Sequence, residues 1–493
     1  MRTNNIFNLR KFIFLFLIGT IGFSGCKKFL DVNTNPNNPD TASPNLLLPT
    51  VEAAIGQVVG NGLQITGNFY AQYWTQNPNA SQYKSIDRYA QTSTFYDGVW
   101  SNIYRKALVN AQLIIDSKTA NIQYTQGIAY LLKAYTFQLA TDAFGDIPLS
   151  EALHGSDFRN PKYEAQQTVY DSIFTYVDKG VALLNAKNAT SPGSQDLIFQ
   201  GDVNQWKAFA NTLKLKAYLR ISTKDAAKAK AGITALYQTN PVFLTKDAAI
   251  QYTSTGGNEN PLYNEMVALG KTPNIVASAT AVLAFRRNND PRLTKFYDKI
   301  PSDATTDTIA YIMQGSYLQN SNKKVSLPTP LVAANPNNPA SATVPVKLFS
   351  TAESYFIQAE AVARSLGATG DITNLFTKGV TASFTATGLT VGDATVYIGS
   401  ATDANIIGAT TPDAKVKLII TQKYYAMTGL QGFEAWTEYR RTGYPTFLVV
   451  SKASLLGGAL MPQRLLYPNS EAISNLNFPG LVPVTTPVWW ATK

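Results

Sequence analysis

The chain has 493 residues, 15% of them charged and 45% hydrophobic, a formal net charge of +10, one histidine and one cysteine. A single histidine excludes a multi-histidine zinc site, a single cysteine excludes an intrachain disulfide, and no Lys/Arg-rich run offers the basic stripe that nucleic acid requires. With no covalent staples, the fold must rest on an apolar core, which this length and composition readily supply.

Arg2, Arg10 and Lys11 flank the start of an apolar run, Phe12 to Phe23, broken only by Gly and Thr. As a helix it spans roughly 18 Å, too short for a hydrocarbon core of ~30 Å, so it reads as a secretion signal and not as a membrane span. Ser24-Gly25-Cys26 closes it. The arrangement resembles a bacterial lipobox, with Phe23 where Leu is usual. That resemblance implies cleavage before Cys26 and a lipid on its sulfur; the alternative is an ordinary secretory signal beside a chance cysteine. The expected organisation is a signal peptide at 1–25, lipidated Cys26 with an Asn/Pro-rich tether at 26–44, and one domain at 45–493.

Helical periodicity dominates beyond the tether. Trp100, Ile103, Tyr104, Ala107, Leu108, Ala111 and Ile115 share one face, and Gly127–Phe144 and Val203–Ile221 carry similar stripes. Ser350 with Glu353 predicts a capping box opening a helix to about Leu366, with Gly367 as its C-terminal cap. Thr411-Pro412-Asp413 predicts the start of another helix. Helices of this length joined by short turns point to tetratricopeptide-like pairs, which bury their faces only by stacking. Stretches near 240–274, 301–347, 384–410 and 442–493, dense in Thr, Asn, Gly and Pro, read as long loops. The expected fold is therefore mostly α, a superhelix of helix pairs with a loop-rich variable face.

Several segments, taken in order, are similar to the SusD/RagB family of nutrient-binding outer-membrane lipoproteins. They are Cys26–Asn33, Pro44–Pro49, Ala129–Tyr135 leading to Phe144-Gly145-Asp146-Ile147-Pro148-Leu149, and Asn289–Leu293. Further on come Thr351–Ala361, Gly432–Trp436 with Tyr439–Pro445, and Met461–Pro468 with Trp489-Trp490. The resemblance implies four tetratricopeptide-like helix pairs and a place on the outer leaflet of a Bacteroidota-type outer membrane. It also implies a SusC-like TonB-dependent transporter as partner and a glycan or peptide as ligand; no cofactor is expected.

Catalytic groups are scarce. His154 lies in a polar run and reads as a solvated loop residue, and Gly270-Lys271-Thr272 lacks the glycine a phosphate loop needs, having Glu265 there. Glu353 with Glu360 and Glu434 with Glu438 are candidate glycosidase pairs. Both pairs sit inside helical motifs, and Glu438 can meet Arg441 at i+3, so we read them, like Asp290 with Arg292, as buried ion clusters fixing helix contacts. Binding calls instead for flat apolar faces beside amides. Trp74 and Tyr83 are expected as stacking surfaces, with Gln76 and Asn77 as hydrogen-bonding partners, while Phe69, Tyr70 and Tyr73 pack between helices. Trp100 and Trp436 are assigned to the core, and Trp489 and Trp490 to docking of the C-terminus. The leading expectation is a non-enzymatic nutrient-capture lid. A surface glycoside hydrolase and a scaffold that binds no substrate remain as alternatives.

Overall fold

The computed structural model describes residues 43–301 and 307–492, so Cys26, the signal peptide and almost all of the tether lie outside the described residues. Helix α1 (Pro44–Gln57) passes through a π turn at Val58–Gly62 into α2 (Leu63–Tyr70). That path is long and apolar enough to cross a membrane, yet every α2 residue is buried in the protein. A second helical path runs from Asp97–Ser101 through a π turn at Asn102–Leu108 into α3 (Val109–Asp116). It carries Trp100, Ile103, Tyr104, Ala107, Leu108 and Ala111 into the core, as their spacing predicts.

Four long helices follow: α4 (Gln123–Phe144), α5 (Gln166–Leu183), α6 (Val203–Ile221) and α7 (Ala226–Gln238). Each packs on the one before it, beginning with α4 on α3, so successive hairpins bury each other's apolar stripes. Asp202 and Asp225 start α6 and α7 by accepting from free backbone N–H groups of the first turn. After α8 (Pro261–Ala268) and α9 (Ala279–Arg287) comes a second stack: α10 (Thr351–Ala363), α11 (Ile372–Ala386), α12 (Val391–Ser400), α13 (Pro412–Ala426) and α14 (Gly432–Thr442). Helix α10 touches α11, α13 and α6, and so joins the two stacks. Phe356, Phe376, Val380, Phe384, Ile419 and Ile420 form a second apolar cluster among α10, α11 and α13. The mostly helical, tetratricopeptide-like reading therefore holds. Short antiparallel strand pairs tie distant loops together, among them Trp74–Gln76 with Ile275–Ala277 and Ala248–Ile250 with Val346–Phe349.

Two local expectations shift. Ser350 does accept from the Glu353 N–H at 3.2 Å, but the Glu353 carboxylate turns away to Gln431 and Lys216, so the capping box closes on one side only. Helix α10 then ends at Ala363, a few residues short of Gly367. The stretch 384–410 is not a long loop, because α12 lies inside it. Thr390 and Asp393 cap one another there, and Tyr397 packs on Phe384 with ring centroids 5.2 Å apart. The 240–274 stretch likewise holds α8. By contrast the last stretch is irregular over 443–492 apart from short Asn469–Ser474.

Candidate functional site

The residues expected to stack and bond ligand are mostly interior. Trp74 opens the strand paired with Ile275–Ala277 and is 0% exposed. Gln76 is equally buried: its Oε1 accepts from Tyr83 N at 2.6 Å and its Nε2 donates to the Asn77 carbonyl, which closes the turn between them. Asn77 is half-buried and spends its amide on Pro273 O at 2.6 Å and on Asn79 N. Asp87 underpins this turn by accepting from Thr75 Oγ1, Gln76 N and Gln314 Nε2; burial pushes its carboxyl up to about 6 against those three bonds. The expected platform of Trp74 and Tyr83 is thus corrected. Trp74 is fully buried on a strand whose ladder partner lies some 200 residues away, and the amides of Gln76 and Asn77 hold the turn together.

Tyr83 has a second aspect. Its ring packs edge-on against Phe69 at 5.8 Å, and its hydroxyl, buried, has no hydrogen-bond partner among the described residues. Burial, reinforced by Glu265, raises the phenol's pKa and keeps it a neutral donor. It lines a cleft of ≈ 230 Å³ between the two π turns, to which Asn61 and Gly62 of the first and Asn102 of the second contribute. Phe95 stands at the rim, 36% exposed, and the exposed side chains of Gln57 and Gln82 complete the walls. Helices frequently bulge into π turns at functional sites, because the extra residue redirects side chains out of the helical register. The volume falls below the ~300–1,000 Å³ of clefts that enclose drug-sized ligands, so it suits one ring and not a chain. An aromatic edge, four amides, the Glu265 carboxyl as a hydrogen-bond acceptor and an unpaired phenol can hold a ring bearing hydroxyls. Sequence reasoning missed Asn61, Phe95 and Asn102. The available signal was Gly60-Asn61-Gly62, three poor helix formers in the middle of an apolar helical run.

The paired carboxylates are structural. Arg220 of α6 donates to Glu438 Oε1 at 2.7 Å and to both Glu434 oxygens at 2.7 and 2.8 Å. Arg441 donates to both Glu360 oxygens at 2.7 Å and meets Glu438 one turn earlier. Lys216 bridges Glu353 and Glu434 at 3.2 and 3.0 Å. All of these side chains are buried, and the network pins α6, α10 and α14 to one another. Burial opposes ionisation of Glu434, but Arg220, Lys216 and Lys423 outweigh it and lower the carboxyl to about 2. A carboxyl held ionised in this way cannot deliver a proton to a leaving group. Asp290 and Arg292 likewise pair in the interior at 2.6 Å. His154 is exposed, Trp436 and Trp490 are fully buried, and Trp490 donates to Asp142 at 2.8 Å.

Residues 36–468 match the SusD-like family described as starch-binding and associating with the outer membrane. No curated protein sequence matches the chain. A chitin-binding SusD homologue from Flavobacterium johnsoniae has a similar structure, with a TM-score of 0.75 and 23% identity over 91% of this chain and 98% of that one. A SusD/RagB family protein from Bacteroides thetaiotaomicron gives 0.76 and 22% over 92% and 100%. A SusD homologue from Bacteroides vulgatus gives 0.74 and 23% over 87% and 92%. At these identities the likeness speaks to the fold, and the fold agrees with a family match that spans most of the sequence: the chain belongs to the SusD-like family.

Proposed function

We propose that this protein captures a glycan at the cell surface, seating one sugar ring of it in the cleft between the π turns. The observation that carries the reading is a cleft lined by Tyr83, whose buried hydroxyl has no hydrogen-bond partner among the described residues, together with four amides, the Glu265 carboxyl and the Phe95 ring. A Phe ring at the rim stacks on the apolar face of a pyranose, while donors and acceptors replace the water around its hydroxyls. Family membership supports a glycan over a peptide, and the structural relative that binds chitin makes N-acetylglucosamine oligomers the first ligands to try. The ion-paired glutamates favour binding over hydrolysis. Cys26 supplies the lipid anchor, and the bound glycan passes to a SusC-like TonB-dependent transporter for which this chain serves as lid.

Calorimetric titration of the detergent-purified lipoprotein with chitin and starch oligosaccharides tests the site. Phe95→Ala should weaken binding about five- to tenfold, the worth of one stacking ring, with the melting temperature unchanged. Full affinity in Phe95→Ala and in Asn102→Ala would move the site elsewhere. Release of reducing ends by the purified protein would favour the hydrolase.

A further inference from the structure

Three segments that play no part in the π-turn cleft converge on a second one. The turn after α4 (Phe144–Leu149), the stretch Met461–Pro468 and the C-terminal Pro487–Trp489 surround a cavity of ≈ 570 Å³ that shares no lining residue with the first. Arg464 lies in its wall, 6% exposed, and its Nε and Nη2 have no hydrogen-bond partner among the described residues. Arg220, Arg292 and Arg441 are buried too, but each meets a carboxylate. A guanidinium taken out of water without such a partner is strongly disfavoured, so an unpaired one in the lining of a cavity marks a place for an anion.

The surroundings hold Arg464 in a receptive pose. Its Cζ sits 4.8 Å from the Tyr467 ring centroid, and the Tyr467 hydroxyl is fixed by donating to Asp146 O at 2.6 Å. Stacking occupies a face of the guanidinium and leaves its N–H edge for an in-plane partner, the geometry that pairs with a carboxylate through two parallel bonds. Gly145, at φ +89°, makes the room: a Cβ there would come 2.9 Å from Arg464 Nη2. Burial lowers the Arg464 pKa, and Tyr467 and Asp146 oppose that shift. Asp146 is itself exposed and accepts from Gln166 N at 3.0 Å, while Lys162 at the rim pairs with Glu151 at 3.4 Å.

We propose that this cleft is a carboxylate-binding site that takes an acidic sugar, with the carboxylate on the Arg464 fork and the ring against Trp489. Trp489 is half-buried beside Val482 and Val488, which gives the ring an apolar wall. Asn477, exposed in the same lining, donates its amide to Asn160 O and leaves its carbonyl for a hydroxyl. The volume falls within the range of clefts that enclose a small ligand.

Glucuronate, glucose and N-acetylalanine, titrated calorimetrically into the detergent-purified lipoprotein at fixed ionic strength, separate the possibilities. Glucuronate should bind at least tenfold tighter than either of the others, and Arg464→Gln should abolish that preference. Equal binding of glucose and glucuronate, or a preference that survives Arg464→Gln, overturns the site. N-acetylalanine binding as tightly as glucuronate overturns the assignment to a sugar. Should circular dichroism show Arg464→Gln unfolded, Trp489→Ala keeps the guanidinium and must weaken glucuronate at least threefold; unchanged affinity in that variant also refutes the proposal.

Discussion

Replacing Arg220 with Met probes whether one buried cation holds the two helix stacks in register. The guanidinium reaches Glu438 at 2.7 Å, both Glu434 oxygens at 2.7 and 2.8 Å, and Asp142 at 3.3 Å. Met is apolar and long enough to fill much of the space, so the loss is chiefly electrostatic. Three buried carboxylates would then share fewer counterions. Removing one member of a buried ion pair costs about 3–5 kcal/mol, a large part of the ~5–15 kcal/mol that holds a typical chain folded. Unfolding entropy of ~2.1 cal/mol/K per residue over roughly 450 residues is about 1 kcal/mol/K, so the melting temperature at pH 7 should fall by about 3–5 °C. The pH dependence provides the sharper signature. Glu434 sits at about 2 against an ordinary 4.5, so its ionised form stabilises the wild type above pH 4.5, and that contribution is lost as the pH falls towards 2. In Arg220→Met the burial term regains ground, Glu434 takes up a proton more easily, and acid relieves the variant while it weakens the wild type. Thermal melts followed by circular dichroism should therefore show a gap at pH 7 that narrows near pH 3.5. A gap that stays constant or widens in acid, or none at pH 7, would refute the account.

Trp74→Ala should lose about 3–5 kcal/mol of stability in chemical denaturation, because its ring is wholly buried; a melting curve that matches the wild type would return Trp74 to the surface. Gly67→Ala should be destabilising out of proportion to one methyl group. A Cβ at Gly67 would lie 2.1 Å from the Phe433 nitrogen, forcing α2 away from α14 by about 1–3 kcal/mol, which the same denaturation curves would register. Cys26→Ala should move the protein from the membrane fraction to the soluble one with its melting temperature unchanged; retention after a salt wash would rule out the lipid anchor.

Much of the helical framework was legible because its causes are local. Thr411 caps α13 by accepting from Ala414 N, and Asp413 lies in that helix's first turn, all within four residues of sequence. The α12 cap at Thr390 and Asp393 was equally visible, but Gly392 and four β-branched residues in Val391–Ser400 hid the helix that followed it. Charge pairing was legible where one helix supplied both partners, as with Glu438 and Arg441, and otherwise only as a kind of cluster: nothing in the sequence names Arg220 as the partner of Glu434 more than two hundred residues away.

The sequence by itself determined the helix-pair architecture, the interior role of the paired acids and the family, because apolar period, cap chemistry and short motifs act within a few turns of chain. Tertiary structure alone decided which aromatic faces meet solvent. Trp74 and Phe95 are both aromatic residues flanked by Tyr and Thr. One is buried on a strand paired with Ile275–Ala277, and the other is left 36% exposed beside a cleft between two π turns. Burial depends on what arrives from elsewhere in the chain, and no local pattern records that.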